Sequence, residues 1–277
     1  MPIEVKDMDE SSEYFASTCT HVNESEEIDR IAERRLAWVQ KMHDKGLRIK
    51  VVYADGEIAG FLNAIPIEYS PMGPLGKDLM VVYCLTVPKK FKGKGAGRAL
   101  MDSIEEEAKR QGKKGLVTYG YRGDFWFMPA SFLEKHGFEE VDSRRVDWVG
   151  ENEFLEEMVL LWKPFDESAE PPTFPESKYK FQPVPGKVVV DLFWDIFCQT
   201  TNTEGERVKD VAEEFGDKVI LNEYPAHEPG VFLKYHKQRG IFINGKEIVW
   251  GYEAPKEGIR EAIRKALEEV AESRGEV

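Results

Sequence analysis

The sequence has few cysteines, no long apolar run and an excess of acidic over basic residues. Its three cysteines, Cys19, Cys84 and Cys198, are too few and too dispersed for a disulfide framework. No apolar run reaches the roughly 18 residues that a membrane-spanning helix needs. No cationic segment followed by an apolar one lies at the N-terminus. We therefore expect a cytoplasmic protein with free thiols.

The charge and the length narrow the class of protein further. The formal net charge is −13 and the isoelectric point is near 5.1, so neither nucleic acid nor an anionic membrane is expected as a partner. At 277 residues the chain is long enough for two domains, each with its own core. Six prolines without a helical period lie between residues 164 and 185 and indicate a semi-rigid connector. We expect domains at 1–163 and 187–277, joined by a Pro-rich linker over 164–186.

Several local patterns predict helices and strands in the first domain. Asn23 and Glu26 resemble a capping box, and apolar residues then recur at helical spacing up to Gly46. Two apolar runs joined at Asp55-Gly56 predict a β-hairpin. A further strand is expected over 79–87 and a helix over 97–111.

Residues 81–100 combine a strand, a stop, a glycine-rich loop and the start of a helix. Pro88 ends the strand because it cannot donate to a ladder. Gly93, Gly95 and Gly97 then let the backbone approach a ligand closely and turn its N–H groups inward. A helix N-terminus attracts anions. The loop also carries positive charge, so we expect an anion site whose ligand is a phosphate ester; the basic residues are Lys89, Lys90, Lys92, Lys94 and Arg98.

The spacing of this loop separates it from two common phosphate-binding motifs. No acidic ribose partner follows, as a dinucleotide-binding loop would require, and no Lys-Ser/Thr pair follows the glycines, as in a P-loop. The run KGKGAG at 92–97 instead resembles the [QR]-x-x-G-x-[GA] pyrophosphate motif of the GNAT acyltransferases, with lysine in the first place. The segments LTVP, RALM, EEEAKRQG and FLEKHGF fall where that family has its fourth strand, third helix and final helix. The resemblance covers about residues 1–163.

The resemblance implies an α/β (α+β) GNAT fold with a splayed mixed sheet, and acetyl-CoA as the acyl donor without a metal. Main-chain groups at the end of the fourth strand would bind the pantetheine arm, and the glycine-rich loop would bind the pyrophosphate. The residues so implied are Leu85, Thr86 and Val87 for the arm, and Lys92, Gly93, Lys94, Gly95, Ala96, Gly97 and Arg98 for the loop.

The family's usual general acid is missing from this chain. That acid is a tyrosine four residues before the glycine that ends the last helix, and here Leu133 precedes Gly137 by four. The family's common asparagine further upstream is also replaced, with Trp126 near its place. Tyr83, Tyr119 and Tyr121 are the remaining candidates for the proton donor. Each of them could equally pack in the core or form a substrate-stacking wall.

Other reactive side chains are weaker candidates. Cys84 lies on the expected fourth strand and could be a nucleophile that forms an acyl-cysteine, although a lone buried cysteine is more often a small hydrophobic residue. Cys19 and His21 make no metal site by themselves, because no second pair has ligand spacing. The aromatic run from Phe125 to Met128 would make an apolar wall for the acceptor or would pack against the second domain.

The second domain has the element order β-α-β-α-β-β-α, which resembles a thioredoxin-like domain. Cys198 in FWDIFCQTTN falls at the place of the first cysteine of a CxxC motif, at a helix start where the dipole favours a thiolate. Thr201 takes the place of the resolving cysteine, and Arg239-Gly240 stands where a cis-proline loop is expected. The combination of the two domains resembles the YoaP-type acetyltransferases.

Three functions follow from these patterns. The first is an N-acetyltransferase in which a small-molecule amine attacks acetyl-CoA directly. The second is a non-catalytic acyl-CoA-binding or regulatory protein. The third is a thiol-linked activity in which Cys198 is a redox thiol that delivers or senses a small thiol. A second domain without redox chemistry would be a lid or a dimerisation module, so a homodimer is left open.

Overall fold

The computed structural model describes residues 2–123, 127–145, 155–250 and 253–273. These residues divide into two compact units at residues 175 and 176. The first unit contains residues 2–123, 127–145 and 155–175, and the second contains 176–250 and 253–273. No helix in these ranges combines the length and the apolar composition that crossing a membrane requires.

The first unit is built on one sheet with helices on both faces. Its strands are β1 (Ile3–Asp7), β2 (Arg48–Ala54), β3 (Glu57–Pro66), β4 (Leu79–Thr86), β5 (Gly115–Gly123), β6 (Glu139–Arg145) and β7 (Leu155–Pro164). Its helices are α1 (Glu13–Ser17), α2 (Glu26–His43), α3 (Ala96–Arg110) and α4 (Ala130–Glu134). The strand order is β1-β2-β3-β4-β5-β7-β6, and among the described strands of this unit only the β4–β5 pair is parallel.

Strands β4 and β5 separate along their length. Their ladder runs only from Leu79 opposite Gly115 to Val81 opposite Val117, although β4 continues to Thr86 and β5 to Gly123. Just beyond the last pair, the Thr118 hydroxyl donates to the Val82 carbonyl at 2.7 Å. The sheet is therefore mixed and splayed at its centre, as the resemblance to the GNAT acyltransferases implies.

The two faces of the sheet pack against different helices. Leu62 and Ala64 of β3 belong to the apolar core under α3. Phe61 points to the opposite face, where its ring meets Phe15 of α1 edge to face at 6.1 Å. Side chains that alternate along a strand thus separate an α3 face from an α1 face.

A buried carboxylate links α3 to the sheet. Glu107 of α3 is 2% exposed and lies 3.0 Å from Arg48 Nε and 3.8 Å from Lys50 Nζ, both on β2. Arg110 also pairs with it from one turn along α3. Burying a charge is expensive unless it is paired, so this cluster fixes α3 against β2 only while its members stay together.

Two local predictions have different outcomes. The hairpin at Asp55-Gly56 is confirmed, because both residues have positive φ and join β2 to β3. The capping box at Asn23 and Glu26 is wrong. Ser25 is the N-cap of α2, and its hydroxyl accepts a hydrogen bond from the Ile28 N–H at 3.2 Å. Serine and asparagine are about equally favoured at an N-cap, so the local sequence does not decide between Asn23 and Ser25 as the start of α2.

The first half of the Pro-rich segment packs on the first unit. Leu75 and Thr173 exchange two backbone hydrogen bonds of 2.9 Å. Phe174 is buried and stacks on the Tyr119 ring at 5.4 Å. Residues 164–175 therefore belong to the first unit and are not part of an open linker over 164–186. The prolines indicate an extended chain but carry no signal for the surface against which it packs.

The second unit is built from β8 (Val188–Trp194), α5 (Gln199–Glu214), β9 (Val219–Pro225), α6 (Pro229–Tyr235), β10 (Gly240–Ile243), β11 (Lys246–Ile248) and α7 (Lys256–Ser273). Its four-stranded sheet has the order β11-β10-β8-β9, with β8 and β9 parallel. Helices α5 and α7 share one apolar core with β8 and β10. The order of elements is the predicted one, and Cys198 is the N-cap of α5.

Candidate active site

A cavity of about 510 Å³ lies at the end of β4, between the glycine-rich loop and α4. Every residue that the sequence analysis assigned to coenzyme A lines it except Lys94, which is exposed, with its ammonium 5.8 Å from the Phe91 ring centre. Their contact with coenzyme A stays a prediction. The full lining consists of Leu85, Thr86, Val87, Phe91, Lys92, Gly93, Gly95, Ala96, Gly97, Arg98, Met128, Pro129, Phe132 and His136.

Glycines are required in the loop for two reasons. Gly93 and Gly95 have φ of +76° and +91°, a left-handed backbone that other residues rarely adopt. A Cβ on Gly97 would lie 3.1 Å from the Phe132 ring, so its absence lets α4 approach the start of α3. Phe91 is buried in the core beneath the loop and anchors it.

The start of α3 gives the cavity a positive end. The first helical hydrogen bond runs from the Ala99 N–H to the Gly95 carbonyl at 3.0 Å. The N–H groups of Ala96, Gly97 and Arg98 therefore have no acceptor within the helix. The helix dipole adds partial positive charge at this point. No described lining residue is acidic, and the Lys92 and Arg98 side chains form no ion pair with a described carboxylate.

The opposite wall of the cavity is apolar and comes from α4. Phe132 and His136 are one turn apart, with ring centres 4.2 Å apart. His136 Nδ1 lies 2.6 Å from the Phe132 carbonyl, whereas its Nε2 is buried without a partner in the described residues. The sequence analysis missed both residues as cavity residues, although their i, i+4 spacing in FLEKHGF was the available signal. The cavity can thus hold an anionic group joined to a long apolar arm.

The candidate tyrosines lie in the sheet and not in the cavity lining. Tyr83 and Tyr119 are each only 7% exposed. Burial raises the pKa of Tyr119, and the ring stacks on Phe174. Tyr121 is partly buried, with its ring centre 6.2 Å from that of Phe127. A catalytic role for any of the three stays a prediction.

The other residues singled out in the sequence of the first domain have mixed outcomes. Cys84 is half-buried on β4, with its Sγ 3.5 Å from the Thr86 hydroxyl, and it does not line the cavity itself. Of the predicted acceptor wall, Phe125 and Trp126 lie outside the described residues. Met128 lines the cavity beside α4. Leu133, at the place of the family's acid, is fully buried in the core.

In the second unit, Cys198 is held at the start of α5 by Asp195. The Cys198 N–H donates to Asp195 Oδ1 at 2.7 Å, and the Thr201 hydroxyl lies 3.0 Å from Asp195 Oδ2. Thr201 therefore fixes the loop at the place where a resolving cysteine would stand. A redox role for Cys198 stays a prediction. Among the described residues, no three His, Cys, Asp or Glu side chains could together hold a metal ion.

Comparison with known proteins identifies the first unit. Residues 9–122, from before α1 to the end of β5, match the acetyltransferase (GNAT) family. This unit therefore contains an acetyltransferase domain of the GNAT family. No curated protein matches the chain.

Solved structures similar to the chain are distant in sequence. The ribosomal-protein-alanine N-acetyltransferase of Brucella melitensis is 16% identical, with 58% of this chain and 99% of that chain covered and a TM-score of 0.44. The yncA protein of Salmonella typhimurium, solved with its cofactor acetyl-CoA, is 17% identical over 61% of this chain and 97% of that chain, with a TM-score of 0.47. A Bacillus subtilis acetyltransferase in complex with CoA is 14% identical over 59% of this chain and 99% of that chain, with a TM-score of 0.41.

Proposed function

We propose that the protein is an acetyl-CoA-dependent N-acetyltransferase whose acceptor is a small-molecule amine. The observation that carries the proposal is the cavity that joins the parted end of β4 to the N-terminus of α3. It lies in the acetyltransferase domain, and every residue expected to hold the acyl donor except Lys94 lines it.

The two halves of the cavity fit the two halves of coenzyme A. The pyrophosphate is anionic, and it suits the free N–H groups at the start of α3 together with Lys92 and Arg98. The pantetheine arm is long and carries amide groups. It suits an apolar wall beside Leu85–Val87, where the backbone of β4 no longer pairs with β5.

The proposed reaction is direct attack on the thioester. The lone pair of a neutral amine forms a C–N bond to the acetyl carbon, the C–S bond breaks, and the thiolate leaves. The proton that the amine loses neutralises that thiolate, so no external reductant or oxidant is needed. Positioning of the two substrates can supply much of the rate. Tyr83, Tyr119 or Tyr121 is proposed as proton donor.

We also propose that the second unit is a thioredoxin-like domain. The parallel β8–β9 pair, the antiparallel β10 and the placement of Cys198 at the N-cap of α5 support this proposal. Alkylation of the free thiols by iodoacetamide tests a functional role for Cys198 in this domain: a Cys198 that reacts no faster than Cys19 would argue against a functional thiol.

Turnover is the direct test of the proposed function. Purified protein is mixed with acetyl-CoA and a panel of primary amines, and released CoA is measured with a thiol reagent while mass spectrometry detects a product heavier by one acetyl group. Amine-dependent release is expected. Binding of acetyl-CoA without release for any amine would support the non-catalytic alternative. The control is the Gly93→Asp variant, which should bind the donor more weakly and release less CoA at the same donor concentration.

A further inference from the structure

Met128, an apolar residue in the wall of the cavity beside α3, has an unusual backbone. It lies between β5 and α4, lines the cavity and is only 4% exposed. Its φ is +45°, in the left-handed region that residues other than glycine rarely adopt. Glycine would adopt this backbone without strain, so a side chain is kept here at a cost in stability. That cost indicates that the side chain itself has a function.

Backbone pairing with β5 holds Met128 in this conformation. The Tyr121 N–H donates to the Met128 carbonyl at 3.0 Å, and Tyr121 also forms an isolated parallel bridge with Pro129. Strained residues persist only where their surroundings fix them, and they are common at active sites. Met128 is therefore held against the end of β5 and in the wall of the cavity.

The register of β4 and β5 shows which part of β4 Met128 lies across from. Val81 is the last residue of β4 that pairs with β5, opposite Val117. Continued pairing in that register would bring Leu85 to the level of Tyr121. The strands part before that level, and both Leu85 and Met128 line the cavity and pack in the same apolar core. Met128 therefore stands on the β5 side of the gap, at the level of Leu85 on the β4 side.

This level is where the acyl end of the donor belongs in the proposed mode of binding. The phosphates lie at the start of α3, and the pantetheine arm runs from there along Val87 and Thr86 to Leu85. The far end of the arm, which carries the thioester and the acyl group, then lies between Leu85 and Met128. A short acyl chain is apolar, and the thioether of Met128 suits it because it needs no hydrogen-bond partner.

We propose that Met128 closes the acyl end of the cavity and thereby limits the donor to short acyl groups such as acetyl. A longer chain would have to displace a side chain that is almost fully buried. Protein interiors are close-packed, so extra methylene groups are poorly tolerated there. The inference rests on the proposed N-acetyltransferase function and adds the size of the acyl group to it. It assigns Met128 to the donor and not to the acceptor wall that the sequence suggested.

Binding of acyl-CoA thioesters tests the inference without any acceptor amine. The full-length protein is titrated calorimetrically with acetyl-CoA and with butyryl-CoA, which is longer by two methylene groups. One methylene in an apolar pocket changes discrimination by about 10-fold or more, so the wild type should bind acetyl-CoA at least 10-fold more tightly. In Met128→Ala, the ratio of the two Kd values should shift at least 10-fold in favour of butyryl-CoA.

Three further variants separate the size of this side chain from its chemistry and its position. Met128→Leu keeps the volume, so the wild-type ratio should persist. Met128→Gly opens the same space and relieves the left-handed backbone, so it should shift the ratio even if Met128→Ala does not fold. Met101 is 3% exposed in the same core but does not line the cavity. Met101→Ala should therefore lower stability and leave the ratio unchanged.

Four results would overturn the inference. They are equal affinities of the wild type for the two thioesters, a wild-type ratio in Met128→Ala and Met128→Gly, a shifted ratio in Met128→Leu, and an equally large shift in Met101→Ala. A wild type that does not bind acetyl-CoA would instead refute the proposed function, and the inference with it.

Discussion

A single negative charge at Gly93 should weaken acetyl-CoA binding strongly. A Cβ at Gly93 meets no atom within 4 Å, so a side chain there points into open space at the cavity. Its φ of +76° is a conformation that aspartate and asparagine tolerate better than other residues. Gly93→Asp and Gly93→Asn therefore have the same shape and the same backbone strain, and they differ in charge alone.

The size of the effect follows from the electrostatics of the cavity mouth. Two unit charges 4 Å apart repel by about 1 kcal/mol in bulk water and by about 4 kcal/mol near a protein surface. The mouth is open to solvent, so an intermediate value of about 2 kcal/mol is appropriate. It corresponds to a rise of about 30-fold in Kd. Salt should reduce the difference, because the charges are exposed.

The assay is calorimetric titration of both variants with acetyl-CoA at 50 and 500 mM salt. We expect Gly93→Asn to bind within about threefold of the wild type, and Gly93→Asp to bind about 30-fold more weakly at low salt. Their melting temperatures should agree, since the strain is shared. Equal Kd values for the two variants would show that no phosphate lies near Gly93 and would refute the assignment of the loop.

Three further predictions concern stability. Glu107→Gln should lower the free energy of unfolding, measured by urea denaturation, by about 2–4 kcal/mol, because it leaves Arg48 and Lys50 without their buried charged partner. An unchanged free energy of unfolding would mean that the cluster is solvated. Ser25→Ala should cost about 1 kcal/mol in the same assay, and no loss would contradict its place as the N-cap. Burial raises the pKa of Tyr119 in the folded protein above its value in the unfolded chain. The stability that the protonated hydroxyl contributes to the folded state is therefore fully present below about pH 10 and is lost as the pH rises above that value. Tyr119→Phe should therefore reduce the fall in stability between pH 8 and pH 11, and an identical fall would contradict this.

The glycine-rich loop could be predicted from sequence because its requirements are local. Gly93 and Gly95 adopt positive φ within the loop, and the start of α3 follows within one residue. A short stretch of chain therefore contains nearly all the information about the anion site. The hairpin at Asp55-Gly56 is predictable for the same reason.

The rest of the site depends on contacts between distant parts of the chain. The irregular pairing of β3 with β4, in which Asn63 lies opposite Cys84 and Ala64 opposite Val82, joins two separate strands and is encoded by no local pattern. Similarly, the burial of Tyr119 depends on Phe174, more than fifty residues further along the chain. His136 was overlooked because its position in the cavity depends on where α4 packs against α3.

The central claim is that the cavity beside α3 binds acetyl-CoA, and selective titration of the purified protein tests it most directly. Acetyl-CoA, ATP and NADH all carry phosphates, but only acetyl-CoA has a pantetheine arm for the apolar wall beside Leu85–Val87. We predict micromolar binding of acetyl-CoA and binding of ATP and NADH at least tenfold weaker. Equal affinities for the three, or no binding of acetyl-CoA, would contradict it.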